Sequence, residues 1–178
     1  MDESKSTLLD RPRFRPSEQA AVSNTRCISY NLREVRKAVR QCVEKLPDMQ
    51  ELFSRSSNVL LKPNLLSSRR TPDDHVNTHP AVVQALAEVL IGEFDCRVAI
   101  GDSCGTMAEG STARALRNSG MEEVARAVGA RLYNVDVQPR HTVHFEQARI
   151  FRDIPLPKTL DEFDLIVSVA KLKTHGLT

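Results

Sequence analysis

Three short strand-like runs each end in a polar block that could do chemistry. Asn58–Leu61 runs into Lys62-Pro63-Asn64, and Arg97–Ile100 into Gly101-Asp102-Ser103-Cys104-Gly105. Leu165–Ala170 runs into Lys171-Leu172-Lys173-Thr174-His175-Gly176. If these are parallel strands, their carboxyl ends share one edge of the sheet, where open α/β sheets bind ligands. Lys62, Lys171 and Lys173 would bring positive charge to that edge. Asn64 would bring an amide, Asp102 a carboxylate and His175 an imidazole, with Ser103, Thr106 and Thr174 as hydroxyl groups. Gly101 and Gly105 would let backbone N–H groups come close to a ligand. Such a set favours capture of a small anionic or metal-bound ligand. The plainer alternative is a strand-to-helix turn at Gly101–Gly105 with solvated lysines at the other strand ends. The glycine loop matches neither GxxxxGK[ST] nor GxGxxG, so neither nucleotide fingerprint is present.

Other constellations are weaker. Asp73, Asp74, His75 and His79 could ligate a metal, with Asp102 or His175 completing the set. The competing reading is that Thr78 or His79 caps the helix starting at Pro80. His141 and His144 fall on opposite faces of a strand and do not share a site. A triad of Ser103, His175 and Asp102 lacks the GxSxG elbow, and adjacent Asp102 and Ser103 point apart. Cys27, Cys42, Cys96 and Cys104 contain no CxxC and no iron–sulfur or structural zinc spacing. Cys27 and Cys96, beside strand-like runs, read as small buried hydrophobes. Cys104, in a glycine loop, is the candidate for a reactive or metal-ligating thiol. No catalytic residue can be assigned from these patterns.

The elements that must position these groups alternate along the chain. Residues 1–25 are polar with Pro12 and Pro16 and read as a flexible extension, leaving 26–178 as one α/β domain. Cys27–Tyr30 is a short strand candidate. Asn31 caps a helix over Leu32–Leu46, whose apolar residues recur at three and four. Met49–Phe53 adds a turn. Pro80 starts a helix with a stripe of Val82, Val83, Leu86, Val89 and Leu90, and Gly92 ends it. Helices follow over about 112–118 and 121–128, the second stopped by Gly129, then a strand over Arg131–Val135. Residues 142–152 alternate weakly as edge strands, and Pro155 and Pro157 mark an extended crossing. Leu165–Ala170 reads as a buried strand. Strands alternating with amphipathic helices predict a mostly parallel sheet with helices on both faces, a Rossmann-like three-layer α/β fold.

Composition sets the outer bounds. The 178 residues are 40% hydrophobic and 27% charged, with 25 Lys and Arg against 23 Asp and Glu. A net charge of +2, two tyrosines and no tryptophan argue against nucleic acid, which demands a basic field and stacking platforms. No run reaches the ~18 apolar residues of a membrane span, and the first residues lack a secretory apolar stretch. Those features make the cytoplasm the expected location.

The ordered blocks VLLKPNLL (59–66), NTHPAVVQALAEVL (77–90), VAIGDSCG (98–105) and DLIVSVAKLKTHGLT (164–178) resemble the family known as domain of unknown function 362. Ala170 stands where that pattern often has Pro. The resemblance covers about residues 26–178 and corresponds to the amino-terminal portion of the family's domain. It therefore implies a truncated domain, with exposed apolar surface beside Leu165–Ala170. It also implies a bacterial or archaeal source and a redox setting, because many members carry a ferredoxin-like module with 4Fe-4S clusters. That module or another redox partner is the expected protein partner, and no cysteine set here can hold a cluster. The expected function is ligand binding by Lys62, Asn64, Asp102, Ser103, Lys171, Lys173 and His175. A metal-assisted enzyme using Asp102 and His175, or a non-catalytic interaction domain, are the alternatives.

Overall fold

The computed structural model describes residues 21–68, 71–105 and 110–174. Four parallel strands form the central sheet: β1 (Asn58–Pro63), β2 (Arg97–Asp102), β3 (Arg131–Asn134) and β6 (Leu165–Val169), in the order β3-β2-β1-β6. Strands β4 (Arg140–His144) and β5 (Asp153–Pro157) form a separate antiparallel pair. The helices α1 (Leu32–Glu44), α2 (Pro47–Arg55), α3 (Pro80–Phe94), α4 (Ser111–Asn118) and α5 (Met121–Val128) pack around the sheet, as the alternating pattern predicts.

Local chemistry explains most of these boundaries. The Asn31 side chain accepts from Arg33 N at 3.1 Å and starts α1. Pro47 and Pro80 occupy first-turn positions, where a missing N–H costs nothing. Gly129 ends α5 at φ 68°, a left-handed conformation open to glycine without strain.

The period-two pattern of the strands divides the core. Val59, Leu61, Val98 and Ile100 face Phe53, Val83, Leu90, Met121 and Val124 in the main core. On the other face, paired Leu60 and Ala99 meet Phe163, with Tyr133 and Leu160 at the margin. Gly101 serves this second face. A Cβ there would lie 2.8 Å from Tyr133 Cβ and 3.0 Å from its carbonyl oxygen.

Several expectations need correction. Cys27–Tyr30 joins no strand. It runs outside the sheet, where the Cys42 thiol donates to Thr25 Oγ1 at 3.3 Å and ties the segment to α1. Cys27 is consequently exposed rather than buried, whereas Cys96 is buried as expected. The turn at Met49–Phe53 is part of a nine-residue helix begun by Pro47. Gly92 does not end α3, because that face is open and a glycine there only lowers propensity. The helix ends at Asp95 in the left-handed conformation, φ 54°. Finally, β6 is an edge strand rather than a buried one. Its composition signals a strand, but its place in the order leaves β1 as its sheet neighbour and Ile166 42% exposed.

Gly101→Ala should destabilise the fold by about 1–3 kcal/mol, since the added methyl meets backbone and Cβ rather than a flexible side-chain end. The check is the urea unfolding midpoint, which should fall without loss of parallel-sheet signal.

Candidate functional site

Beyond Pro63, β1 turns out of the sheet with three successive backbone N–H groups in need of acceptors. Each finds a different side chain. Asn64 N donates to Thr78 Oγ1 at 2.8 Å, Leu65 N to Asp102 Oδ2 at 2.9 Å, and Leu66 N to Asn77 Oδ1 at 2.8 Å. Thr78, Asp102 and Asn77 are all buried, so an unpaired amide here would forfeit both water and protein partners. The Thr78 hydroxyl also donates to Val169 O at 2.7 Å, joining the end of β1 to the end of β6. Asn64 Nδ2 donates to Val76 O at 3.1 Å. Gly105 N donates to Leu65 O at 3.0 Å, and a Cβ on Gly105 would press on Leu66 at 3.1 Å. The two glycines thus serve close packing between chain segments.

The predicted ligand residues divide around this knot. Lys62 Nζ lies 2.7 Å from Asp102 Oδ1, an ion pair between a half-exposed ammonium and a buried carboxylate. The pair ties the end of β1 to the end of β2. Asn64 is committed to the loop. Ser103 Oγ donates to Asp136 Oδ1, and Thr112 Oγ1 donates to Asp136 Oδ2 while accepting from Cys104 N. The two hydroxyl hydrogen bonds, Ser103's first, hold the Asp136 carboxyl below the usual carboxylate range. Cys104, the candidate reactive or metal-ligating thiol, is buried, and its thiol donates to Leu66 O at 3.4 Å.

A second group gathers around Lys171. Its Nζ donates to the Tyr30 hydroxyl at 3.1 Å, with the hydroxyl between the ammonium and the ring. Tyr30 stacks on His79 at 3.6 Å and 7°. His79 Nδ1 accepts from Ala81 N at 3.1 Å and caps α3, which requires that nitrogen to be unprotonated. Burial and then the Lys171 charge push the imidazole pKa down. Lys173 is half-buried. His175 and Thr106 lie outside the described residues.

Sequence reasoning missed Tyr30, Asn77 and Asp136. Asp136 had a usable signal: it follows β3 at the same carboxyl edge as the three blocks that were singled out. Tyr30 had none, since only the fold brings it to His79.

The weaker metal candidates do not assemble. Thr71 and Asp74 form a capping box around the 3-10 turn Pro72–Asp74, and His75 sits exposed at φ 56°. Among the described residues no three His, Cys, Asp or Glu side chains are placed to hold a metal ion. His144 pairs with Asp153 at 2.7 Å and His141 with Asp161 at 3.6 Å, two separate sites. The dispersed cysteines do not fit a 4Fe-4S cluster.

Fold and edge together define a parallel α/β domain whose polar residues converge at the carboxyl ends of β1, β2 and β6. Residues 59–178 match the family profile described as Domain of unknown function (DUF362), and the chain belongs to that family. It is 30% identical over 156 residues to the thylakoid-associated protein sll1697 of Synechocystis sp., a match spanning 88% of this chain. The chain covers 46% of that relative's length. No solved structure matches it.

Thr78→Val removes an acceptor for Asn64 N and a donor to Val169 O. Stability should drop by about 1–3 kcal/mol for each buried group left unpaired, read from urea unfolding. His79→Asn keeps a capping acceptor but cannot titrate. The folded His79 pKa lies below the ordinary 6.5, so its neutral form favours the folded state above that value. The contribution is lost as pH falls through 6.5 toward the lowered pKa. Wild-type stability should therefore decline across that window more steeply than that of His79→Asn.

Proposed function

We propose that this chain is a ligand-binding α/β domain of a redox-associated protein, taking a small anionic ligand at the carboxyl edge of its sheet. The supporting observation is the parallel register, which sets Lys62 and Asp102 on adjacent strands, with the segment from Lys171 to Lys173 leaving the third strand at the same edge. In this reading Lys171 and Lys173 attract the anion. Asp102 fixes Lys62, and Ser103 and Asn64 border the site. Tyr30, held by Lys171 as acceptor, retains its own O–H to donate. The redox setting and a bacterial source rest on the family resemblance alone. Among the described residues no helix is long and apolar enough to cross a membrane. The relative's thylakoid association, carried over, would place the protein beside one.

A thermal-shift panel of inorganic phosphate, pyrophosphate, nucleotides, carboxylates, zinc and iron tests this reading. At least one anion should raise the melting temperature, and Lys171→Ala and Lys173→Ala should each weaken its binding by about 1–3 kcal/mol. Unchanged affinity in both variants would overturn the site. A response to metal alone would favour a metal-assisted enzyme using Asp102 and His175. No response at all would favour a non-catalytic interaction domain.

A further inference from the structure

The β4–β5 hairpin ends in an apolar tip framed by positive charge. Its strands pair from Arg140↔Pro157 to His144↔Asp153, and Phe145 N donates to Arg152 O at 2.7 Å to close the turn. At that closed end Ile150 is 83% exposed and Phe151 74%. Arg149 and Arg152, both exposed, flank them directly. Single exposed apolar residues are ordinary, but adjacent large ones at a loop end, ringed by cations, are not. Phe151 also borders an open hollow of about 620 Å³ shared by Phe145, Ala148 and Ile154 with His144, Glu146 and Gln147.

Charge at this tip selects the partner. Within residues 149–152 the charged side chains are the two arginines, while Glu146 in the turn and Asp153 at its base, 2.7 Å from His144, are the acidic groups nearby. The tip thus presents apolar side chains for burial and cations for an anionic surface immediately around them. That arrangement matches a lipid interface, where acyl chains receive the apolar groups and headgroup phosphates meet the arginines.

We propose that residues 149–152 form a membrane-surface anchor that inserts Ile150 and Phe151 into anionic lipid, with Arg149 and Arg152 at the headgroups. The anchor shares no residue with the strand-end ligand site, so either can fail without the other.

The 178-residue chain has no tryptophan, so Phe151→Trp gives a unique reporter at the tip. Its emission should shift to the blue on adding vesicles of phosphatidylcholine with phosphatidylglycerol. Pure phosphatidylcholine should produce much less shift, and added salt should reverse the effect. Arg149→Gln and Arg152→Gln should each weaken co-sedimentation with the anionic vesicles about fivefold. Ile150→Ser, in the chain without the reporter, should weaken it about tenfold. Circular dichroism should show all variants folded, since the substituted side chains are exposed. Equal binding by wild type and Ile150→Ser, or no blue shift with anionic vesicles, would overturn the proposal. A blue shift that grows with protein concentration in the absence of lipid would overturn it in favour of a second copy as the occupant.

Discussion

Three consecutive backbone amides, those of Asn64, Leu65 and Leu66, constrain the rest of the domain. They leave the sheet at the end of β1 without ladder partners in a setting that ranges from partly to fully buried, where an unmet donor would cost up to about 1–3 kcal/mol. The acceptors come from Thr78, Asp102 and Asn77, which stand before α3 and at the end of β2. This one requirement fixes the path of β1, the entry of α3 and the exit of β2 against one another. The Thr78 hydroxyl then binds Val169 O and adds the end of β6. At the opposite end, Asp164 Oδ2 accepts from Ser57 N and Asn58 N and ties the start of β6 to β1. An edge strand with one sheet neighbour is thereby held at both ends.

The knot explains why separated sequence blocks occur as a set. Lys-Pro-Asn-Leu-Leu supplies the amides, Asn-Thr-His-Pro two of the acceptors, and Gly-Asp-Ser the third together with a glycine that admits Tyr133. Asp102 has two roles, with one oxygen holding the Leu65 amide and the other facing Lys62. The polar edge is therefore not a plain basic patch. Part of its charge is already matched by Asp102, and the Lys171 ammonium is tied to the Tyr30 hydroxyl.

Elements with strong local signals are legible in the sequence. The periodic stripes of α1 and α3, the Asn31 cap, the first-turn proline of α3 and the apolar runs of β1 and β2 all came from neighbouring residues. What escaped depended on distant ones. Cys27–Tyr30 has strand-like composition, yet no strand edge meets it, and Tyr30 finds its role by stacking on His79. β6 was recognisable as a strand, but its exposure follows from sheet order, which no local pattern encodes. Asp136 is a lone acid after a short strand, and only the return of the chain past Ser103 and Thr112 gives it partners. The convergence of the strand ends was inferred correctly from alternation. How far their side chains are committed to one another was not.

The knot also changes how the segment after β1 should move. Residues 64–66 form no helix or strand, and such segments usually exchange their amide hydrogens with solvent quickly. Here release of any of the three requires a buried side chain to let go. Those acceptors stand on the approach to α3 and at the end of β2, so one amide cannot open by local fraying. An irregular segment should thus share the slow, collective opening of the sheet, a kinetic property borrowed from strands to which it does not belong.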